Sequence, residues 1–313
     1  MHREITLHVE QSFAFGSDHG LVGTLTRPSC TAGANAPQGL LLFNAGVLPR
    51  TGPHRINVKL ARGLASKGVA TLRFDLHGHG DSARADGHLG YYQQADSDLR
   101  EAMDELGRRA GARKFAILGF CSGAYPAFRA ALADPRVNAV LLYDGFVYPT
   151  RRATMRRYRM RIRQYGLTRA VGGWLWRGTS GALARLAAGL RDWRSAFGST
   201  QRVSEVISRA ELVRGLNTLV ERGVRVTVLA AGDSLERTNY TGQFRDATSK
   251  YGLSDRVITE FLPEINHVAT SLRSQQLFLD FVVERWLQLD AAAQAPLPQT
   301  DAAAASLLEH TAA

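Results

Sequence analysis

Cysteine and lysine are the residues this chain nearly lacks. Cysteine occurs only at Cys30 and Cys121 in 313 residues, with no CxxC spacing to hold a metal. That density excludes a disulfide scaffold and points to a reducing compartment, with no metal or cofactor expected. Long apolar runs are absent too. The opening "MHREITLHVEQSFAF" is interrupted by Arg3, Glu4 and Glu10, so it matches neither a signal peptide nor a membrane span, and a cytoplasmic location without a transmembrane segment is expected. Four lysines stand against 35 arginines, and eight of those arginines fall in residues 151 to 170, a stretch with no acidic residue. The net charge of +11 is therefore concentrated in one insertion. No recognised nucleic-acid motif accompanies it, and no nucleic-acid partner is expected.

What the chain does have is ample apolar material, 45% hydrophobic residues, arranged in a regular alternation. Short runs rich in Val, Ile, Leu and Phe ("EITLHVE", "LVGTLTR", "QGLLLFN", "VATLRFD", "KFAILGF", "VNAVLLY", "VRVTVLA", "RVITEFL") predict eight strands. Between them lie helix-period stretches such as "INVKLARGLASKG" and "QQADSDLREAMDELGRRAG", each closed by a glycine, and "SLRSQQLFLDFVVERWLQL" follows the last strand. This pattern predicts an α/β fold: an eight-stranded, mostly parallel sheet with helices on both faces. The alternation stops between Asp144 and about Glu211. The expected organisation is a core over residues 1–147 and 213–290, a helical arginine-rich cap over 148–212, and a disordered Ala/Pro/Gln-rich tail over 291–313.

Cys121 lies at the centre of G-x-C-x-G (Gly119, Phe120, Cys121, Ser122, Gly123), between a predicted strand and a predicted helix. A nucleophile elbow needs this setting: the backbone turns sharply, side chains two residues either side would collide with it, and the helix N-terminus favours thiolate. Ser122 is the rival nucleophile, but its neighbours at that distance are Phe120 and Ala124. The competing reading of Cys121 is a small buried core thiol.

"RFDLHGHGDS" after a strand, the elbow, and a late histidine after the last strand together resemble the α/β-hydrolase superfamily over about residues 20 to 290. "FNAGVLPRTGPHRINVKLARGLASKG" and "TNYTGQFRD" look more narrowly like the hydrolases found alongside bacterial exosortase systems and their S33 aminopeptidase-like relatives. Cysteine at the elbow is similar to dienelactone hydrolases, polyhydroxyalkanoate synthases and bile-acid amino-acid acyltransferases. The resemblance implies a base after the last strand, where "LPEINHVAT" supplies His267. For the acid it implies Asp233 in "AGDSLER", although the spacing from the glycine is shorter than customary; Asp144 in "LLYDGF" is the alternative acid, and Glu236 stands behind both. It implies an oxyanion hole from the backbone N–H groups of Ser122 and Gly46, with Asn44 and Ala45 in place of the more familiar His-Gly pair. His77 and His79 are expected to serve their own tight loop. His88 could also lie near the site, and Asn44 and His54 are kept as substrate contacts.

A Cys–His–Asp set on such a fold implies acyl transfer through an enzyme thioester, on an ester or a thioester carried by coenzyme A or an acyl carrier protein, as acyltransferase or thioesterase. Arg152 and Arg156 suit phosphate or carboxylate, and Trp174 suggests an apolar underside of the cap for an acyl chain. Two other classes stay open: a simple carboxylic ester hydrolase, and a non-catalytic binding protein using the basic cap.

Overall fold

The computed structural model describes residues 8–29, 38–85, 87, 89–160, 162–163, 207–232 and 238–286. Eight strands form one sheet: β1 (His8–Phe15), β2 (Leu21–Pro28), β3 (Gln38–Phe43), β4 (Ala70–Asp75), β5 (Lys114–Phe120), β6 (Val137–Tyr143), β7 (Arg225–Ala231) and β8 (Ile258–Leu262). Their order is β1-β2-β4-β3-β5-β6-β7-β8. β3 through β8 run parallel, while β2 pairs antiparallel with both β1 and β4. β5 and β6 begin and end where their apolar runs do. β1 does not: it runs on to Phe15, because Phe13 and Phe15 alternate along "QSFAF" and Phe15 is buried against the Phe74 ring. Residues 1–7, where part of that strand was expected, lie outside the described residues.

The central strands are apolar on both sides because helices cover both faces. On β5, Phe115 and Ile117 enter one core cluster while Ala116, Leu118 and Phe120 enter the other. Side chains of this size contribute about 1.5–3 kcal/mol each when fully buried. One face is packed by α2 (Tyr91–Ala110), α3 (Ala124–Ala133) and α5 (Arg209–Glu221), through Leu99, Met103, Phe128 and Leu216. The other is packed by α1 (Ile56–Ala65) and α7 (Leu272–Asp280), through Ile56, Leu60, Leu64 and Phe278. α4 is the helical backbone over 151–160, resumed at 162–163, and α6 is Gln243–Thr248. A π-helical turn, Phe281–Trp286, continues α7. Most of the expected cap and all of the expected tail lie outside the described residues.

At the end of β5 the chain leaves the sheet at Phe120 and enters α3 through a single tight turn, Cys121–Gly123. This turn is possible only because Gly119 has no side chain: a Cβ there would stand 2.6 Å from the Gly123 carbonyl oxygen and 2.7 Å from the Ala127 Cβ. Gly119→Ala is expected to destabilise the fold by about 1–3 kcal/mol, the usual cost of forcing atoms into a filled core, and a lowered thermal midpoint would register it.

Candidate active site

Because β3, β5, β6 and β8 are parallel, their C-terminal ends share one edge of the sheet, and the loops leaving those ends converge on Cys121. Cys121 itself has φ 52°, a left-handed conformation that a non-glycine residue keeps only when its surroundings hold it there. Its thiol side chain is partly exposed and sits at the start of α3, where the backbone dipoles favour negative charge.

Asp144 follows β6, the neighbour of β5, and also has a positive φ of 52°. Its backbone N–H donates to Leu229 O at 2.8 Å, which pins it to β7. Gly145 comes next because nothing else fits: a Cβ on it would lie 2.1 Å from the Ala124 Cβ and 2.7 Å from Cys121 O. The β6 loop therefore passes directly over the elbow, and the Asp144 carboxylate is buried beside it.

His267 arrives from the loop after β8. Tyr143 Oη donates to Asn266 O at 3.1 Å, and the Gly232 N–H donates to Ile265 O at 3.1 Å, tying that loop to β6 and β7. The imidazole is flanked by the rings of Phe120, 5.7 Å away, and Tyr143, 6.5 Å away and nearly parallel. Nδ1 is joined to Asp144 Oδ2 by a short hydrogen bond, and the ring also hydrogen-bonds Cys121. Burial opposes the imidazolium, but hydrogen bonds to Asp144 and Cys121 and the charge on each outweigh it, raising the His267 pKa to about 9. Cys121, His267 and Asp144 thus form a connected chain of the kind that activates a nucleophile.

The loop after β3 closes the other side. Asn44 is buried and both ends of its amide are used on backbone: Nδ2 donates to Gly46 O at 3.1 Å, and Oδ1 accepts from Leu76 N–H at 2.9 Å. Its side chain shapes the loop. Gly46, at φ 55°, lies against the elbow, within 3.7 Å of Ser122 Oγ for a Cβ built on it. A little further on, Arg50 anchors the loop to the buried Asp75: its N–H donates to Oδ1 at 2.6 Å and Nη1 to Oδ2 at 2.5 Å, with Asp81 at 2.7 Å from the same guanidinium nitrogen. Asp75 and Asp81 both come from "DLHGHGDS", so that motif's acids serve the β3 loop. His77 in the same motif is held between Asp98 at 2.7 Å and Asp18 at 3.0 Å, which ties its loop to α2 and to the β1–β2 turn, while His79 bonds the His77 carbonyl within the loop.

The remaining sequence candidates among the described residues are dispersed. His54 is exposed on the turn leading into α1. Arg156 is exposed on α4. Arg152 lies over the Tyr240 ring at 4.5 Å and 4.0 Å from Asp246. Asp233, Glu236, His88 and Trp174 lie outside the described residues. "TNYTGQFRD" has a task that its sequence did not reveal: Asn239 Nδ2 donates to Ala153 O at 3.0 Å, Gln243 Nε2 to Tyr148 O at 3.0 Å, and Tyr240 Oη meets Thr150 Oγ1 at 2.9 Å. That motif grips the root of α4. Among the described residues no His, Cys, Asp and Glu group could hold a metal ion, and no helix is long and apolar enough to cross a membrane.

An eight-stranded mixed sheet of this order, with a strained residue between β5 and α3 and a histidine after β8, is an α/β-hydrolase fold. Residues 53–181 match the family described as serine aminopeptidase, S33, a likeness over part of the chain. Solved structures agree on the fold. An alpha-beta serine hydrolase homologue from Coxiella burnetii is 13% identical, covering 88% of this chain and 96% of its own, with a TM-score of 0.52. Est1E from Butyrivibrio proteoclasticus is 15% identical (90% and 99% covered, TM-score 0.51), and the proline iminopeptidase of Mycobacterium smegmatis is 17% identical (91% and 100%, TM-score 0.51). No curated protein matches the sequence.

Proposed function

We propose that the chain is an acyl-transfer enzyme in which Cys121 is the nucleophile, His267 the base and acid, and Asp144 the carboxylate that orients it. The observation that carries this reading is the position of His267, hydrogen-bonded to Cys121 and to Asp144 at once. Asp144 is preferred to Asp233 on that bond.

In the first half-reaction the Cys121 thiolate attacks the acyl carbonyl, and negative charge moves to the carbonyl oxygen. The Ser122 and Gly46 N–H groups are the donors proposed for that oxyanion, preorganised by the elbow and by the Asn44 bracket. The intermediate collapses, the bond to the leaving group breaks, and the His267 imidazolium gives the departing group its proton, leaving an acyl thioester on Cys121. In the second half, neutral His267 takes a proton from the acceptor as it attacks the thioester, and the thiolate departs. Water as acceptor gives hydrolysis; an amine, alcohol or thiol gives transfer. Thioesters react with amines more readily than oxygen esters do, a chemical reason for cysteine at this position.

Substrates are an ester or a thioester of coenzyme A or an acyl carrier protein, and the arginines of α4 support an anionic donor. The test is incubation with a panel of acyl-CoA thioesters and p-nitrophenyl esters while intact mass is followed. An adduct of acyl mass, removed by hydroxylamine and blocked by iodoacetamide, is expected. A protein that turns these esters over without a thiol-linked adduct would reduce the reading to simple ester hydrolysis by another nucleophile. Neither turnover nor alkylation of Cys121 would leave a binding protein. Turnover of an acyl-CoA at limiting concentration is further expected to fall as ionic strength rises, with a neutral ester of the same chain little changed, since salt screens exposed charge.

A further inference from the structure

Anionic ligands account for the arginines of α4 but not for its other exposed residues. Ala153 is fully buried against the fold, while Met155 is 59% exposed, Tyr158 45% and Ile162 38%. Those three stand at i, i+3 and i+7, a spacing that puts them on one stripe of a helix. Arg151, Arg159 and Arg163 are exposed alongside. A helix that turns apolar side chains outward between arginines, with no acidic residue from 145 to 163, fits a surface that is itself apolar beneath and anionic on top.

The rest of the same edge fits too. Val47, 91% exposed, follows β3; Leu89 and Tyr91, at 54% and 44%, follow β4. α4 follows β6. These strands are parallel and so deliver their loops to the sheet edge that also carries Cys121. Most of the large exposed apolar residues thus gather at the edge holding the proposed nucleophile, while Val9, 42% exposed near the start of β1, lies toward the opposite edge.

We propose that this edge docks on the surface of an anionic lipid bilayer, with α4 lying in the headgroup layer, so that Cys121 faces acyl substrates presented from the membrane. Docking deepens the proposed function and rests on it for the substrate, but not for the binding. Free coenzyme A would meet the arginines alone and has no use for Met155, Tyr158 and Ile162. The bilayer uses both, and the clamp from Asn239, Tyr240 and Gln243 fixes the helix root against the core as an adsorbing element requires.

The experiment is co-sedimentation of the full chain with vesicles of phosphatidylcholine alone and of phosphatidylcholine mixed with phosphatidylglycerol. Binding to the mixed vesicles only, weakened by salt, is expected. Arg159→Gln with Arg163→Gln should lower the partition coefficient more than tenfold, since each cationic side chain near such a surface contributes about fivefold. Met155→Ser with Ile162→Ser should lower it severalfold at unchanged charge, with circular dichroism confirming that each variant is folded. Cys121→Ala should bind as the parent does, which separates failure of the docking from failure of the chemistry. Equal binding to both vesicle types, no binding, or indifference to the Met155/Ile162 pair would overturn the proposal. Retention by an acidic carrier protein in place of vesicles would overturn it in favour of a protein partner.

Discussion

Cys121→Ala is expected to leave no acyl adduct and to lower kcat by about 10⁶, the scale on which enzymes of this logic lose activity when the nucleophile is deleted. The substitution removes the attacking atom and little else: alanine fills most of the same space, and the left-handed backbone at φ 52° is imposed by the strand, the helix and the glycines around it. Ser122→Ala should keep most of the activity, because the role proposed for Ser122 belongs to its backbone N–H. Cys121→Ser is the more discriminating variant. A hydroxyl is far less acidic than a thiol, and the charge on Cys121 is one of the influences that raise His267 to about 9. Serine should therefore leave His267 less basic and the enzyme weakly active at best. Intact mass and steady-state turnover read all three variants. Equal labelling of the parent and Cys121→Ala would remove Cys121 from the mechanism.

Asp144→Asn is expected to lower turnover by about 10⁴, as the analogous change does in serine proteases, because the histidine loses its orienting charge and its correct tautomer. Asparagine tolerates a positive φ as aspartate does, so the fold should survive and the effect should be electrostatic. The pH dependence provides a second readout. In the proposed reaction His267 is imidazolium when it protonates the leaving group, and it holds that proton up to about pH 9, so activity should decline above that value as the proton is lost. Removing the Asp144 charge lowers the His267 pKa, and the alkaline limb of kcat/KM should move to lower pH. Asp233→Asn should leave both rate and profile nearly unchanged. If Asp233→Asn is inactive and folded while Asp144→Asn works, the acid belongs to the loop after β7.

Much of the core was legible in the chain itself. Strands buried on both faces carry nearly continuous apolar runs, which is why "KFAILGF" and "VNAVLLY" bound β5 and β6 to the residue. The elbow was legible for a steric reason, since only glycine fits where Gly119 meets Gly123 and Ala127. β1 was only partly legible because an edge strand is half solvated: its pattern is broken by polar residues, and pairing with β2 over Phe13↔Gly23 and Phe15↔Leu21 carries it on to Phe15.

The sequence by itself determined the alternation of strands and helices, the glycine-flanked cysteine and the histidine after the last strand, because each depends on local sterics or on a periodicity that neighbouring residues carry. Only the tertiary structure decided which aspartate meets His267. Asp144 follows one strand and Asp233 the next, and adjacent parallel strands end at the same edge, roughly 4.8 Å apart, so position along the chain leaves both open, with Asp233 ahead only by resemblance. The choice is made by Gly145 passing over the elbow, by the Asp144 N–H bonded to Leu229, and by Tyr143 holding the histidine loop, contacts that join residues up to 123 positions apart. The tertiary structure also decided what Asn44 and "TNYTGQFRD" do, since an amide aimed at a backbone carbonyl and one aimed at a substrate are the same letter in the sequence.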